Sequence, residues 1–151
     1  MRIAFDLDGT LVPMFAGQFP VEPVAWPMRA FAPDPLRRQT IQLFRLLRAR
    51  KHELWVYTSS LRRPFDIRRT FWAHGIRLDG VINAGRHARS DRAVRSGASK
   101  FPPAFAIDLL IDDAPGVALE GQRHGFRVLG IDPGDFEWSQ RVSTEVDRVI
   151  G

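Results

Sequence analysis

Short apolar runs alternate along the chain with longer stretches in which apolar positions recur at helical spacing. Residues 2–7 read as a first buried strand. Asp34-Pro35 has the form of an N-cap followed by a first-turn proline. Leu36, Leu43, Phe44 and Leu47 then share one face, which predicts a helix running to about Arg50. The run Glu53-Leu54-Trp55-Val56-Tyr57 reads as a short strand that stops at Thr58-Ser59-Ser60. A second helix is expected from Pro64 to His74, closed by Gly75. Val81-Ile82 is a brief strand, and residues 106–111 a strong one that ends in Asp112-Asp113. A helix from Pro115 to His124 should end at Gly125, followed by a strand over 126–131. Trp138, Val142, Val146 and Val149 mark a last helix. This alternation predicts a three-layer α/β/α, Rossmann-like architecture, a parallel sheet with helices on both faces.

Polar residues collect where that architecture places ligands, beyond the carboxyl ends of the strands. The first strand ends in Asp6-Leu7-Asp8-Gly9-Thr10, the second in Thr58-Ser59-Ser60, and the fourth in Asp112-Asp113. Any one cluster has an ordinary explanation, since Asp113 or Thr58 and Ser59 could simply cap the helix that follows. Three coincident clusters call for another. Burying two carboxylates one residue apart is costly unless a cation or hydrogen bonds compensate them. Mg²⁺, a hard cation that prefers oxygen ligands, is the natural candidate.

Composition narrows the picture. A chain of 151 residues, 44% of them hydrophobic, is expected to form one domain over residues 1–151. Met1-Arg2 leads directly into the first strand and no apolar run approaches the length of a membrane span, so a cytoplasmic location is expected. The absence of cysteine excludes disulfide scaffolds, thiolate zinc sites and cysteine nucleophiles. The net charge of +5 is carried almost wholly by arginine, with lysine only at Lys51 and Lys100. Acidic residues are interspersed and no basic block occurs, so charge alone does not favour a nucleic-acid partner.

On these residues the chain resembles the haloacid dehalogenase (HAD) superfamily over essentially its whole length. Asp6-Leu7-Asp8-Gly9-Thr10-Leu11 is similar to that family's first motif, Thr58 to the second, Lys100 to the third and Asp112-Asp113 to the fourth. Lys51 fits the third motif poorly because it precedes a strand. The resemblance implies Mg²⁺-dependent hydrolysis of a phosphomonoester through an aspartyl-phosphate formed on Asp6, with Asp8 protonating the leaving oxygen and then activating water. It places Mg²⁺ on the Asp6 carboxylate, the Asp8 backbone carbonyl and the Asp112/Asp113 pair. Thr58 would bond a phosphoryl oxygen and Lys100 would offset negative charge. Backbone N–H groups around Gly9, Thr10 and Ser59 would complete the phosphate cradle. Arg62 would meet a second substrate charge, or else lie solvated at a helix start. Members that cleave carbon–halogen bonds lack the second aspartate, so Asp8 argues for phosphate chemistry.

Cap domains in this superfamily follow the first motif or lie between the second and third. Residues 13–33 and 76–99 are too short for either, which implies an open, capless site. Such sites suit bulky or macromolecular phosphates, or are roofed by a second copy in a homo-oligomer. Residues 13–33 hold five prolines with Met14, Phe15, Phe19, Trp26, Met28 and Phe31, and read as a loop over the core, a substrate lip or a subunit contact. Arg86, His87, Arg89, Arg92 and Arg95 read as a solvated basic loop or an anion-binding one. His52, His74, His87 and His124 lack metal-ligand spacing. Two other classes compete with a phosphatase of small molecules: a HAD-fold binding or regulatory protein without activity, and a phosphatase acting on nucleic-acid or protein phosphate. A nucleotide-binding Rossmann protein is disfavoured, because Asp-Leu-Asp-Gly-Thr stands where a glycine-rich turn would be.

Overall fold

In the computed structural model, which covers residues 1–151, five strands form one parallel sheet. They are β1 (Arg2–Phe5), β2 (Glu53–Tyr57), β3 (Gly80–Ile82), β4 (Leu109–Asp112) and β5 (Val128–Gly130), in the order β3-β2-β1-β4-β5. The helices are α1 (Thr40–Ala49), α2 (Pro64–Ala73), α3 (Ala84–Ala88), α4 (Asp91–Ser96), α5 (Pro115–His124) and α6 (Trp138–Ile150). None is long and apolar enough to cross a membrane.

The period of two along each strand divides the core. Ile3 and Phe5 of β1, with Leu54, Val56, Leu109 and Ile111, pack against Phe44 and Leu47 of α1, Ile67 and Phe71 of α2, and Trp138, Val142 and Val146 of α6. Ala4, Trp55, Tyr57, Ile82 and Leu110 face the other way, toward Val117 of α5. The result is the expected three layers. At one point the layers are unusually close. Gly80 pairs with Trp55 across β2 and β3, and a Cβ at position 80 would lie only 2.2–2.4 Å from three carbons of the indole ring. Gly80→Ala should therefore cost about 1–3 kcal/mol in urea unfolding through overpacking. Gly116, in the first turn of α5 with nothing near its missing Cβ, serves as the control and should tolerate alanine without loss.

The order of the strands locates a crevice. From β1 the chain moves outward on one side to β2 and β3, then returns to the other side for β4 and β5. The reversal lies between β1 and β4, and loops leaving their carboxyl ends diverge there. Asp6 and Asp112 stand at those two ends.

Several elements differ from the sequence expectation. The helix expected from Asp34-Pro35 begins only at Thr40, after Gln39 in a left-handed conformation. Residues 36–38 are diverted into other pairings: Arg37 N–H donates to Leu11 O, Glu22 N–H to Leu36 O, and Arg38 N–H to Pro20 O. The start of α1 is met from a distance, with Ile41 N–H donating 3.1 Å to the Glu22 carboxylate. Residues 86–95 are not a loop but α3 and α4, each begun by a local cap, Asn83 accepting from Arg86 N–H and Ser90 from Ala93 N–H. The strand expected over 106–111 is Leu109–Asp112, preceded by a 3₁₀ turn at Pro102–Phe105, and that over 126–131 shrinks to Val128–Gly130. Regular pairing of the first strand stops at Phe5. Residues 13–33 contain no strand and one 3₁₀ turn, Met28–Ala30. Phe19 is buried there, whereas Met14, Phe15, Trp26 and Phe31 are exposed.

His74, at the end of α2, is buried with its Nε2 unpartnered. Burial holds its pKa below the ordinary 6.5, with Glu22 opposing. The unfolded chain thus takes up a proton that the folded protein refuses, and stability from the neutral ring is lost as pH falls below 6.5. His74→Phe should melt progressively higher than wild type as pH is lowered from about 7.5 to 5.5. A gap independent of pH in paired melting curves would contradict this.

Candidate active site

The loop after β1 is built around its glycine. Asp6 N–H donates 2.8 Å to Ile111 O, carrying the pairing with β4 one residue past the strand. The chain then turns tightly, Leu11 and Val12 both donating to Leu7 O and Gly9 N–H to Val12 O. Gly9 has φ +84°, and a Cβ on it would collide with the Asp113 carboxylate. Only glycine permits both the turn and that approach. Beside it, Thr10 Oγ1 donates 2.8 Å to Asp113 Oδ1, so the hydroxyl orients an acid from the neighbouring strand end.

Lys100 reaches into the same place from the loop after α4. Its Nζ lies 2.5 Å from Asp6 Oδ1 and 2.6 Å from Asp112 Oδ2, with 3% of the residue exposed. Its backbone is clamped on both sides. Ser99 donates from N–H and Oγ to the two Glu120 oxygens, at 2.9 and 2.8 Å. Phe101 N–H donates 2.9 Å to Tyr57 Oη, which lies 2.6 Å from His87 Nδ1. The tyrosine already accepts from Phe101, so its own proton points to a neutral imidazole. Burial pushes the Tyr57 phenol up to about 12 and holds His87 low, which keeps both uncharged.

Thr58 is buried at the end of β2, its Oγ1 accepting from Ser60 N–H at 3.1 Å, while Ser59 is exposed. Asp112 Oδ1 accepts from Ala114 N–H at 2.9 Å, so this acid, not Asp113, meets the start of α5. Arg62 lies between two carboxylates, Nη1 2.9 Å from Asp8 and Nη2 3.6 Å from Asp34. The arginines before Lys100 point elsewhere. Arg86 donates to Val81 O and lies over Trp55, and Arg92 donates to Pro103 O. The structure therefore brings together Asp6, Asp8, Gly9, Thr10, Thr58, Ser59, Lys100, Asp112, Asp113 and Arg62 at one sheet edge. The residues that sequence reading missed are Tyr57, Glu120, His87 and Asp34 in their supporting roles. Their partners are 20 or more positions away, so no local spacing exposes them.

No protein-family profile matches the chain, and no curated protein matches it in sequence. Solved structures do resemble it. A predicted HAD-like family hydrolase from Porphyromonas gingivalis matches with TM-score 0.54 and 15% identity, over 97% of each chain. The chain has the HAD-like fold. A chain of the Pnkp1/Rnl/Hen1 RNA repair complex matches with TM-score 0.57 and 16% identity, and a second structure of the Pnkp1/Rnl/Hen1 complex with 0.55 and 16%. Each covers 89% of this chain, which spans only 43% and 47% of those longer ones.

Within the HAD-like fold, the charges at the crevice do not balance. Asp6, Asp112 and Asp113 place carboxylate oxygens within 4.8 Å of one another, and Lys100 is the cation bonded to this group. Burial pushes Asp6 up to about 7, Lys100 opposes this and Asp112 adds to it. Burial likewise raises Asp112 against the pull of Lys100. Burial lowers Lys100, but the two acids outweigh it and hold its pKa above normal. Three acids around one ammonium leave an excess of negative charge that a divalent cation would compensate. The donors are all hard oxygens, as Mg²⁺ requires. The residues present fit that ion.

Proposed function

We propose that this protein is a Mg²⁺-dependent phosphomonoester hydrolase that works through a phosphorylated Asp6. The observation that carries the reading is the convergence of Asp6, Lys100, Asp112 and Asp113 on one crevice, with Asp8 and Thr58 on the adjoining loops. Phosphoryl transfer asks a protein chiefly for positioning and charge neutralisation, and this constellation supplies both. An Asp6 oxygen attacks phosphorus while the bond to the leaving oxygen breaks, and Asp8 gives that oxygen a proton. Asp8 then takes a proton from water, whose oxygen attacks the same phosphorus and frees phosphate and the Asp6 carboxylate. Lys100 holds Asp6 by Oδ1 and neutralises part of the charge that arrives with the phosphoryl group. Thr58 and the N–H groups near Gly9 and Ser59 receive phosphoryl oxygens. Asp6, Asp112, Asp113 and the Asp8 carbonyl would hold Mg²⁺, whose contribution is to neutralise phosphoryl oxygens and orient them.

A second reading concerns the substrate. Two of the similar structures belong to an RNA repair complex, and residues 13–33 and 76–99 hold only a 3₁₀ turn, a three-residue strand and two short helices. Both observations support a phosphorylated nucleic-acid end. The test is release of inorganic phosphate with and without MgCl₂ from p-nitrophenyl phosphate, phosphorylated metabolites and a 3′-phosphorylated oligonucleotide. Magnesium-dependent release from any of them is expected. Failure of the wild type across the whole panel would overturn the enzyme reading, and preference for the oligonucleotide would decide for the second substrate class.

A further inference from the structure

Asp34 has the sequence form of a helix cap, yet no helix begins there and none of the following amides bonds to its side chain. Its carboxylate instead faces Arg62 at 3.6 Å, and the other arm of that guanidinium is 2.9 Å from Asp8. We propose that Asp34 and Arg62 form a positioning relay that holds the Asp8 carboxylate in place for proton transfer. The inference rests on the phosphatase reading above and concerns the residue that protonates the leaving group.

The physical need is specific. A proton donor must stand within hydrogen-bond reach of the leaving oxygen, about 2.6–3.2 Å, and small misplacements are costly in rate. Asp8 has a third of its side chain exposed, and the structure shows Arg62 as its charged partner. An arginine held by one partly exposed carboxylate gives up more rotamer freedom than such a pair returns. A second carboxylate facing the far arm changes this, because the guanidinium then sits between two opposite charges, 2.9 Å from Asp8 and 3.6 Å from Asp34. The backbone of Arg62 is also fixed. Its N–H donates to Ser60 Oγ at 3.4 Å, and its carbonyl accepts from Asn83 Nδ2 at 3.0 Å. Ser60 in turn bonds Thr58, so the relay is anchored to the end of β2. Charge coupling along the line agrees with the geometry. Burial raises the Asp34 pKa, Arg62 lowers it, and Asp8 and Asp66 raise it.

Leaving-group dependence separates this role from others. An alkyl phosphate expels a basic alkoxide and needs protonation, whereas p-nitrophenyl phosphate expels a stable phenolate. Asp34→Asn and Arg62→Lys should each lower kcat/KM for glycerol phosphate by about 10–100-fold, part of the 10²–10⁴ typical of general acid catalysis. For p-nitrophenyl phosphate the loss in kcat/KM, which reports only the steps up to phosphorylated Asp6, should stay within about threefold, since no acid is needed there. The lysine retains charge but not the fork, so it tests geometry, and melting curves of both variants check the fold. Equal losses on the two esters, no loss on either, or a raised KM with an unchanged ratio would overturn the relay. The last result would return Arg62 to substrate binding. A wild type inert with Mg²⁺ to both esters and to the metabolites and oligonucleotide above overturns the phosphatase reading and the relay with it.

Discussion

Asp6→Asn should reduce turnover by about 10⁴-fold or more, the scale seen when a covalent nucleophile is removed, while leaving the fold at least as stable as wild type. The two halves of this expectation have different origins. Activity is lost because the amide neither attacks phosphorus nor offers a charged ligand to a cation. Stability is kept because Asp6 is an unfavourable residue in the cation-free protein. Its pKa rises from the ordinary 3.8 to about 7, chiefly through burial. Between those values the folded protein holds a proton that the unfolded chain releases, so stability from this group is present at low pH and is lost as pH rises through 7. Lys100 keeps Asp112 as a partner in the variant. In EDTA at pH 8, Asp6→Asn should therefore melt at or above the wild-type temperature. MgCl₂ should raise the melting point of wild type more than that of the variant, since only the former retains all three carboxylates. A variant that keeps more than a few per cent of wild-type activity would refute Asp6 as nucleophile.

The second large effect is structural. Arg37→Ala should destabilise the protein by about 2–4 kcal/mol, since it removes a large buried side chain together with the donor that several carbonyls share. Arg37 is 2% exposed, and its guanidinium lies 4.7 Å from the Phe19 ring and 5.0 Å from Trp138. Nη2 donates to the carbonyls of Asp132, Pro133 and Asp135 at 3.0, 3.0 and 2.8 Å. Nη1 faces Thr10 O, in the loop that carries Asp8, at 3.4 Å. One side chain thus ties residues 13–33, the start of α6 and the nucleophile loop together. Its removal leaves Thr10 O and the half-buried carbonyls of residues 132–135 without that donor and opens a gap beside two aromatic rings. At about 2–4 °C per kcal/mol for a chain of this size, the melting temperature should fall by about 10 °C. Arg37→Lys should recover only part of this, because an ammonium cannot lie flat between the rings while reaching three carbonyls. A loss below about 1 kcal/mol for the alanine variant, within the range of an ordinary surface change, would show that the cluster is not a staple.

Arg37 also shows where sequence reading stops. The strands, the parallel sheet and the Asp6, Thr58 and Asp112 positions were legible because they rest on local signals, whereas Lys100 follows only from the resemblance to the HAD motifs. Each strand is an apolar run with a polar end, and strand ends are where α/β sheets gather ligands. The ends of α2 and α5 were equally plain, from Pro64, Gly75, Pro115 and Gly125. Asp34-Pro35 misled because a cap signal describes only what the chain could do in isolation. The pairings of residues 36–38 with Leu11, Pro20 and Glu22 outweigh a single turn of helix. The basic run over 86–95 misled for a related reason, since its arginines find carbonyls and aromatic faces that only the folded sheet provides.

Amphipathic spacing, strand termini and the Asp-Leu-Asp-Gly-Thr run determined the layers and the chemical character of the crevice without any coordinates, because hydrophobic periodicity and the cost of burying charge act locally. Which groups meet was decided by the tertiary structure alone. Lys100 bridges Asp6 and Asp112 because β1 and β4 are neighbours. Asp113 comes against Gly9, and Asp34 and Asp8 come to share Arg62, for the same kind of reason: contacts between residues distant in sequence follow from strand order, which no local pattern encodes.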